Sequence, residues 1–102
     1  MKENKRSKLP RRVEYTRTFA KAWERYNRAG RRNMNNMTEV MKLLFIGSAL
    51  PAEFLDHYLL GGDWDNAKEC HIGGDFLLIY RVDEKQNLLT FINLGTHSEL
   101  FE

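Results

Sequence analysis

Three histidines, His57, His71 and His97, are the residues of this 102-residue chain best suited to chemistry. His71 lies in the stretch WDNAKECHIGGDFLLIY, Trp64 to Tyr80, which reads as a hairpin. A strand carrying Lys68, Glu69 and His71 meets a Gly73-Gly74 tip, Asp75 follows, and the apolar run Phe76 to Tyr80 returns. Imidazoles titrate near neutrality, so they suit proton transfer to and from a ribose hydroxyl and a leaving oxygen, each worth about 10²–10⁴-fold in rate. Lys68 or Arg81 could offer positive charge to a phosphorane-like transition state. Singly, each histidine has a plainer use: His57 as the cap of a helical turn, His71 as an edge-strand residue, His97 as a loop residue. Together they border one face of a sheet.

Other chemistries lack support. The chain contains no P-loop, no GxGxxG and no Cys-x-x-Cys, so neither a nucleotide cofactor nor structural zinc is expected. No two histidines stand at the i, i+4 spacing of a helical zinc pair, and no metal is expected. Cys70 is next to His71, but strand neighbours point to opposite faces, so Cys70 reads as a small buried hydrophobe.

The elements that must position these residues are legible from periodicity. Val13 and Tyr15 alternate within a short first strand at 12–16. Thr16 or Thr18 caps a helix whose Phe19, Trp23 and Tyr26 share one face, and Gly30 stops it. Met34, Met37, Val40, Met41, Leu44 and Phe45 form the stripe of a second helix ending near Gly47; such a stripe is more often core than binding groove. A long loop, 48–63, carries Pro51 and Gly61-Gly62 and a helical turn near 52–57. Strands follow at 67–72, 76–82 and 88–94, with a turn at 83–87 and a break at Gly95. Thr96 and Glu99 form a capping box for a last helical turn. The order β-α-α-β-β-β implies an α+β fold: a helical hairpin on a small, mainly antiparallel sheet of about four strands, its other face at least partly open.

One domain spans residues 12–102, behind a disordered basic tail at 1–11. A single cysteine excludes an internal disulfide, and the short apolar runs exclude a membrane span, so the expected location is the cytoplasm. The net charge of +2 is unevenly spread. Residues 1–32 hold 12 Lys/Arg against 3 Asp/Glu, or +9; residues 33–102 hold 4 against 11, or −7. The basic third attracts polyanions or solvates a helix face, and charge alone does not choose.

The residues Asp56-His57, Leu60-x-Gly62-x-Trp64, Glu69-Cys70-His71-Ile72, Asp75 to Tyr80 and Leu94 to Phe101, in that order, resemble the YafQ branch of the RelE-type toxins. These are the ribonuclease components of type II toxin–antitoxin pairs. The resemblance implies a RelE-like fold and metal-independent, ribosome-dependent cleavage of messenger RNA, in which the ribose 2′-hydroxyl attacks the adjacent phosphate. It implies His57, His71, Asp75 and His97 as catalytic residues, with His71 and His97 moving protons and Asp75 tuning a histidine or acting as base. Phe101 would stack a base. Lys68, Arg81, Glu69 and Trp64 would contact substrate. The implied partners are a cognate antitoxin, mRNA on the ribosome and, only as the toxin–antitoxin complex, operator DNA. Two departures stand out. Lys68 replaces the family's arginine, a point charge for a bidentate fork. Gly74 replaces the family's proline before the aspartate.

Two other functions fit the same fold: a ParE-like toxin that inhibits a protein target without nuclease chemistry, and a co-repressor acting with its antitoxin on DNA. The histidine set argues against the first. A geometric question also follows. A strict Gly73-Gly74 turn pairs His71 with Phe76 and puts His71 and Asp75 on opposite faces. A shared site requires a wider or bulged tip.

Overall fold

A short strand, β1 (Arg12–Tyr15), precedes two helices, α1 (Arg17–Ala29) and α2 (Met34–Ile46), in the computed structural model, which describes residues 9–32, 34–59 and 66–101. A 3-10 turn at Ala52–Phe54 then leads into β2 (His57–Tyr58). Three longer strands follow, β3 (Lys68–Gly73), β4 (Phe76–Asp83) and β5 (Leu88–Thr96), and a five-residue helix, α3 (His97–Phe101). The sheet order is β1-β5-β4-β3-β2. β1 runs parallel to β5, and the other neighbours are antiparallel.

This is the α+β architecture expected, on a mainly antiparallel sheet, with two details added. The described sheet has five strands, because the segment entering β3 pairs as β2 instead of continuing a helical turn to His57. The sheet is mixed, because the first strand closes the fold against the last. Of the expected tail, residues 1–8 lie outside the described residues, as does Trp64. Arg11 belongs to the fold: its N–H donates to the Phe45 carbonyl and its guanidinium to the Leu44 carbonyl, both at 2.9 Å. No described helix is long and apolar enough to cross a membrane.

Local chemistry sets the helix ends. The Thr16 hydroxyl accepts from the Phe19 N–H at 2.9 Å, and Gly30 closes α1 in the left-handed conformation, φ +68°. The apolar stripes then meet the sheet. Phe19 stacks on Phe91 of β5 with ring centroids 5.4 Å apart, and Met37, Val40 and Leu44 of α2 are buried in the same core as Cys70, Leu78 and Tyr80. The methionine stripe is therefore core, although Phe45 at its end is partly exposed. β4 is central and buried at every position from Phe76 to Tyr80. Phe76, Leu78 and Tyr80 face the helices, while Leu77 and Ile79 face away. Truncating Leu78 to alanine should cost about 2–5 kcal/mol, the usual range for a buried leucine.

Candidate active site

The β3–β4 tip decides which side chains can meet. Gly73 pairs with Phe76, so the two-residue turn is Gly74-Asp75, one residue later than expected, with Gly74 at φ +57°. His71 pairs with Leu77, which leaves Ile72 as an extra residue in a β-bulge. Ile72 turns into the core. Glu69 and His71 lie on the face that Leu77 and Ile79 share, away from the helices. The bulge anticipated for this tip is present.

Across β3, the pairing of β2 sets His57 opposite Glu69. The imidazole Nε2 of His57 lies 2.9 Å from Glu69 Oε2, and His71 Nε2 lies 3.4 Å from the same oxygen. The two rings are 5.9 Å apart. Glu69 is only 7% exposed, and its Oε1 has no hydrogen-bond partner among the described residues. The His57 Nδ1 sits 2.7 Å from the Leu55 carbonyl. A carbonyl only accepts, so Nδ1 carries a hydrogen. The neutral ring would then present a bare Nε2 lone pair to a carboxylate. A protonated imidazole would make the 2.9 Å contact an ion pair. The cluster thus sets two imidazoles against one oxygen of a nearly buried carboxylate, with the His71 ring half-buried. The three ligand atoms also lie within 4.8 Å of one another, so His57, Glu69 and His71 form a donor set that suits a zinc-like or transition-metal ion.

The second set of residues hangs from the end of β5. The row His71, Leu77, Gly95 crosses three strands, which separates His71 from Gly95 by about 10 Å at the usual strand spacing. Two residues beyond Gly95 comes His97, the first residue of α3. Its ring lies 5.0 Å from that of Phe101, one helical turn on. The capping box is formed: the Glu99 N–H donates to Thr96 Oγ1 at 3.2 Å, and the Thr96 N–H donates to Glu99 Oε1 at 2.9 Å. The Tyr26 hydroxyl of α1 donates to the same carboxylate oxygen. That hydrogen bond holds Glu99 below its ordinary pKa; burial, with help from the Glu99 carboxylate, pushes Tyr26 up to about 12. Gly95 makes this approach possible, since a Cβ there would stand 2.7 Å from Glu99 Oε1.

Asp75 does not bring its carboxylate to a histidine. Its side chain pairs with Arg32 at 3.4 Å, and the Arg32 guanidinium lies 5.2 Å from the centre of the Phe76 ring. Asp75 reaches the site through its backbone, whose carbonyl accepts the His97 N–H at 3.0 Å. His71 and Glu69 share a face by plain alternation along β3, and the bulge beyond them does not recruit Asp75, because the Gly74-Asp75 turn leaves that side chain within reach of Arg32.

Lys68 lies on the other face. It pairs with Tyr80, and its ammonium donates to Asp56 Oδ2 at 2.8 Å and sits 5.0 Å from the Tyr58 ring centre. Strand alternation carries this signal, since 68 has the opposite parity to 69 and 71. Alternation starts Arg81 on the side of Leu77 and Ile79, yet Arg81 also lines a groove on the Lys68 side. That groove, of about 960 Å³, is lined by Asp56, Tyr58, Lys68 and Tyr80 among others, and the three histidines do not line it. Cys70 is fully buried, and burial raises its thiol pKa to about 12, as suits a core residue and not a nucleophile. The central position of Glu69 between two imidazoles escapes sequence reasoning, which marks it only as a substrate contact. Its i, i+2 spacing to His71 on one strand face was the available signal.

Residues 11–102 match the family model described as the bacterial toxin of type II toxin–antitoxin system, YafQ. The chain is 34% identical over 98 residues to the mRNA interferase toxin YafQ of Escherichia coli K12, covering 91% of this chain and 98% of that protein. Among solved structures, the E. coli DinJ–YafQ toxin–antitoxin complex superposes with a TM-score of 0.80 at 32% identity, over 92% of this chain and all of that one. A metal-bound toxin from Helicobacter pylori superposes with a TM-score of 0.79 at 32% identity, over 89% and 99%. The chain belongs to the YafQ family of bacterial toxins, the toxin side of type II toxin–antitoxin systems.

Proposed function

We propose that this toxin is a metal-independent endoribonuclease that cleaves messenger RNA on the translating ribosome. The observation that carries the reading is the His57–Glu69–His71 cluster on the sheet face away from the helices, with His97 and Phe101 beyond the end of the same cross-strand row. A relative named an mRNA interferase, matched over nearly its whole length, supports the substrate class.

In this mechanism one bank removes a proton from the ribose 2′-hydroxyl while the other donates a proton to the departing 5′-oxygen. The 2′-oxygen attacks the adjacent phosphate, the P–O5′ bond breaks, and a 2′,3′-cyclic phosphate and a 5′-hydroxyl result. His71 acts against the Glu69 carboxylate, which lets the imidazole take or release charge, and His57 keeps that carboxylate paired. His97 serves the opposite end of the scissile bond, with Phe101 stacking a base. Arg81 on the same face stabilises the added phosphorane charge. Asp75 acts through its carbonyl, which fixes the start of α3. No step calls on a metal, although the His–Glu–His donor set could take one up. The cognate antitoxin is the partner that holds the toxin inactive, and the two together bind operator DNA.

Mapping mRNA ends in cells expressing the toxin tests this. Wild type should leave 5′-hydroxyl ends within translated reading frames, and His97→Ala should abolish them. Rate against pH should fall on both sides of an optimum, because one imidazole must be neutral and one protonated. EDTA should leave the rate unchanged. Growth arrest that survives the combined His57→Ala, His71→Ala and His97→Ala substitutions would return the protein to the ParE-like reading.

A further inference from the structure

β2 has two residues and two register pairs, His57 with Glu69 and Tyr58 with Lys68. So short a strand cannot by itself hold an imaging-grade geometry at Glu69; catalytic groups are held within about 0.5 Å by locked neighbours. The residue before His57 supplies the lock. Asp56 sends its carboxylate to the helix-side face, where Lys68 Nζ donates to Oδ2 at 2.8 Å and the Tyr80 hydroxyl donates to Oδ1. Both donors sit on long strands, and Tyr80 is 1% exposed. The Asp56 side chain is 23% exposed and that of Lys68 26%, so the pair is shielded from bulk water. Leu55, at φ +49°, turns its carbonyl onto His57 Nδ1. The 55–57 segment is thus gripped on both faces of the sheet edge: a carboxylate on one side, an imidazole on the other.

We propose that Asp56, Lys68 and Tyr80 form a through-sheet anchor that positions His57 against Glu69. The catalytic part of this inference rests on the proposed role of His57. None of the three anchor residues faces the histidine cluster, so they are positioning residues. Adjacent Cα atoms are about 3.8 Å apart across a stiff peptide, so a fixed Asp56 leaves His57 little freedom to swing. Lys68 then serves the site from the back of the sheet, and a point charge suffices because its partner is one carboxylate oxygen.

Tyr80→Phe removes one oxygen and leaves the core ring in place; Lys68→Met removes the ammonium and keeps the stem. Each should lower kcat about 10- to 100-fold, the loss typical of a small misplacement, with KM within about threefold. Nitrogen-15 imidazole spectra should show His57 losing its hydrogen-bonded N–H signals in both variants while His97 is unchanged. Asp56→Asn, which still accepts from Tyr80, should recover part of the activity lost in Asp56→Ala. In a His57→Ala background, Tyr80→Phe should have no further effect. Wild-type His57 spectra in Tyr80→Phe and Lys68→Met overturn the proposal, as does a Tyr80→Phe rate loss that persists undiminished without His57. If His57→Ala alone keeps the wild-type rate, the catalytic reading of His57 fails, and the imidazole spectra alone decide the anchor.

Discussion

The two banks of the site are built by different means. On the β2–β3 side, His57 and His71 meet over a carboxylate that is almost fully buried, and β3 and β4 beneath it are long and paired, although β2 is short. On the β5 side, His97 and Phe101 ride on a helix of five residues whose hold on the fold comes from Glu99, itself exposed. A helix that short does not stand alone in water. The first bank is held by burial, the second by a few hydrogen bonds at the surface. Buried polar groups set chemistry at a cost in stability, whereas surface caps set geometry and yield to solvent conditions.

The sharpest break of that contrast is Glu69→Gln. The cluster loses its carboxylate, and activity should drop about 10²–10⁴-fold, the worth of a general acid–base group. Unfolding temperature should stay level or rise, because a buried carboxylate with an unpartnered oxygen is replaced by a neutral amide. A strong loss of stability would show that the cluster is structural first.

Gly95→Ala attacks the other bank. The added Cβ would meet Glu99 Oε1 at 2.7 Å, so the carboxylate must leave its cap. Loss of a helix cap costs about 0.5–2 kcal/mol. Chemical denaturation should read that cost, and activity should fall while His57 spectra remain those of wild type.

Acid and alkali should separate the banks more gently. Glu99 has a folded pKa below its ordinary 4.5, so its stabilising effect is present above the unfolded value and is lost as pH falls through the folded one. Tyr26 is raised from 10.0 to about 12, so its contribution is complete below the ordinary value and is lost as pH rises through about 12. The α3 latch therefore loosens at both extremes. His97 and Phe101 resonances should shift below pH 4.5, and Glu99→Gln should remove that acid limb. The smallest effect concerns Cys70: with its thiol raised to about 12, native protein should resist alkylation at pH 8 and react only when unfolded.

Local signals in the sequence were read well, and pairings at a distance were not. The Thr16 cap, the Gly30 stop and the Thr96–Glu99 box depend on neighbours within a turn, and each is present. The faces of α1 and the burial of β4 follow from spacing and apolar run length. The parallel partnership of β1 with β5 has no local signature, since alternation tells that a strand exists and not which strand it joins. β2 is too short to carry a period at all. Within the site, a bulged tip was expected so that His71 and Asp75 could share one face; the bulge is present, yet the Asp75 side chain goes to Arg32. The Asp75–Arg32 pair was not legible, because it joins residues 43 positions apart across the packed elements. The side of Lys68 was written in its odd–even offset from Glu69.

The pairing of β1 with β5 also governs when this protein becomes dangerous. Residues 12–15 are synthesised well before their partners, residues 88–91. At roughly 5–20 residues per second, the opening strand waits seconds for its ladder, a contact of high sequence separation that must form late. α3, with His97 and Phe101, emerges later still. The half of the site that lies beyond β5 is thus absent while most of the chain is being made. A ribosome that has made only the chain up to β5 holds a toxin whose opening strand is unpaired and whose His97 and Phe101 are missing.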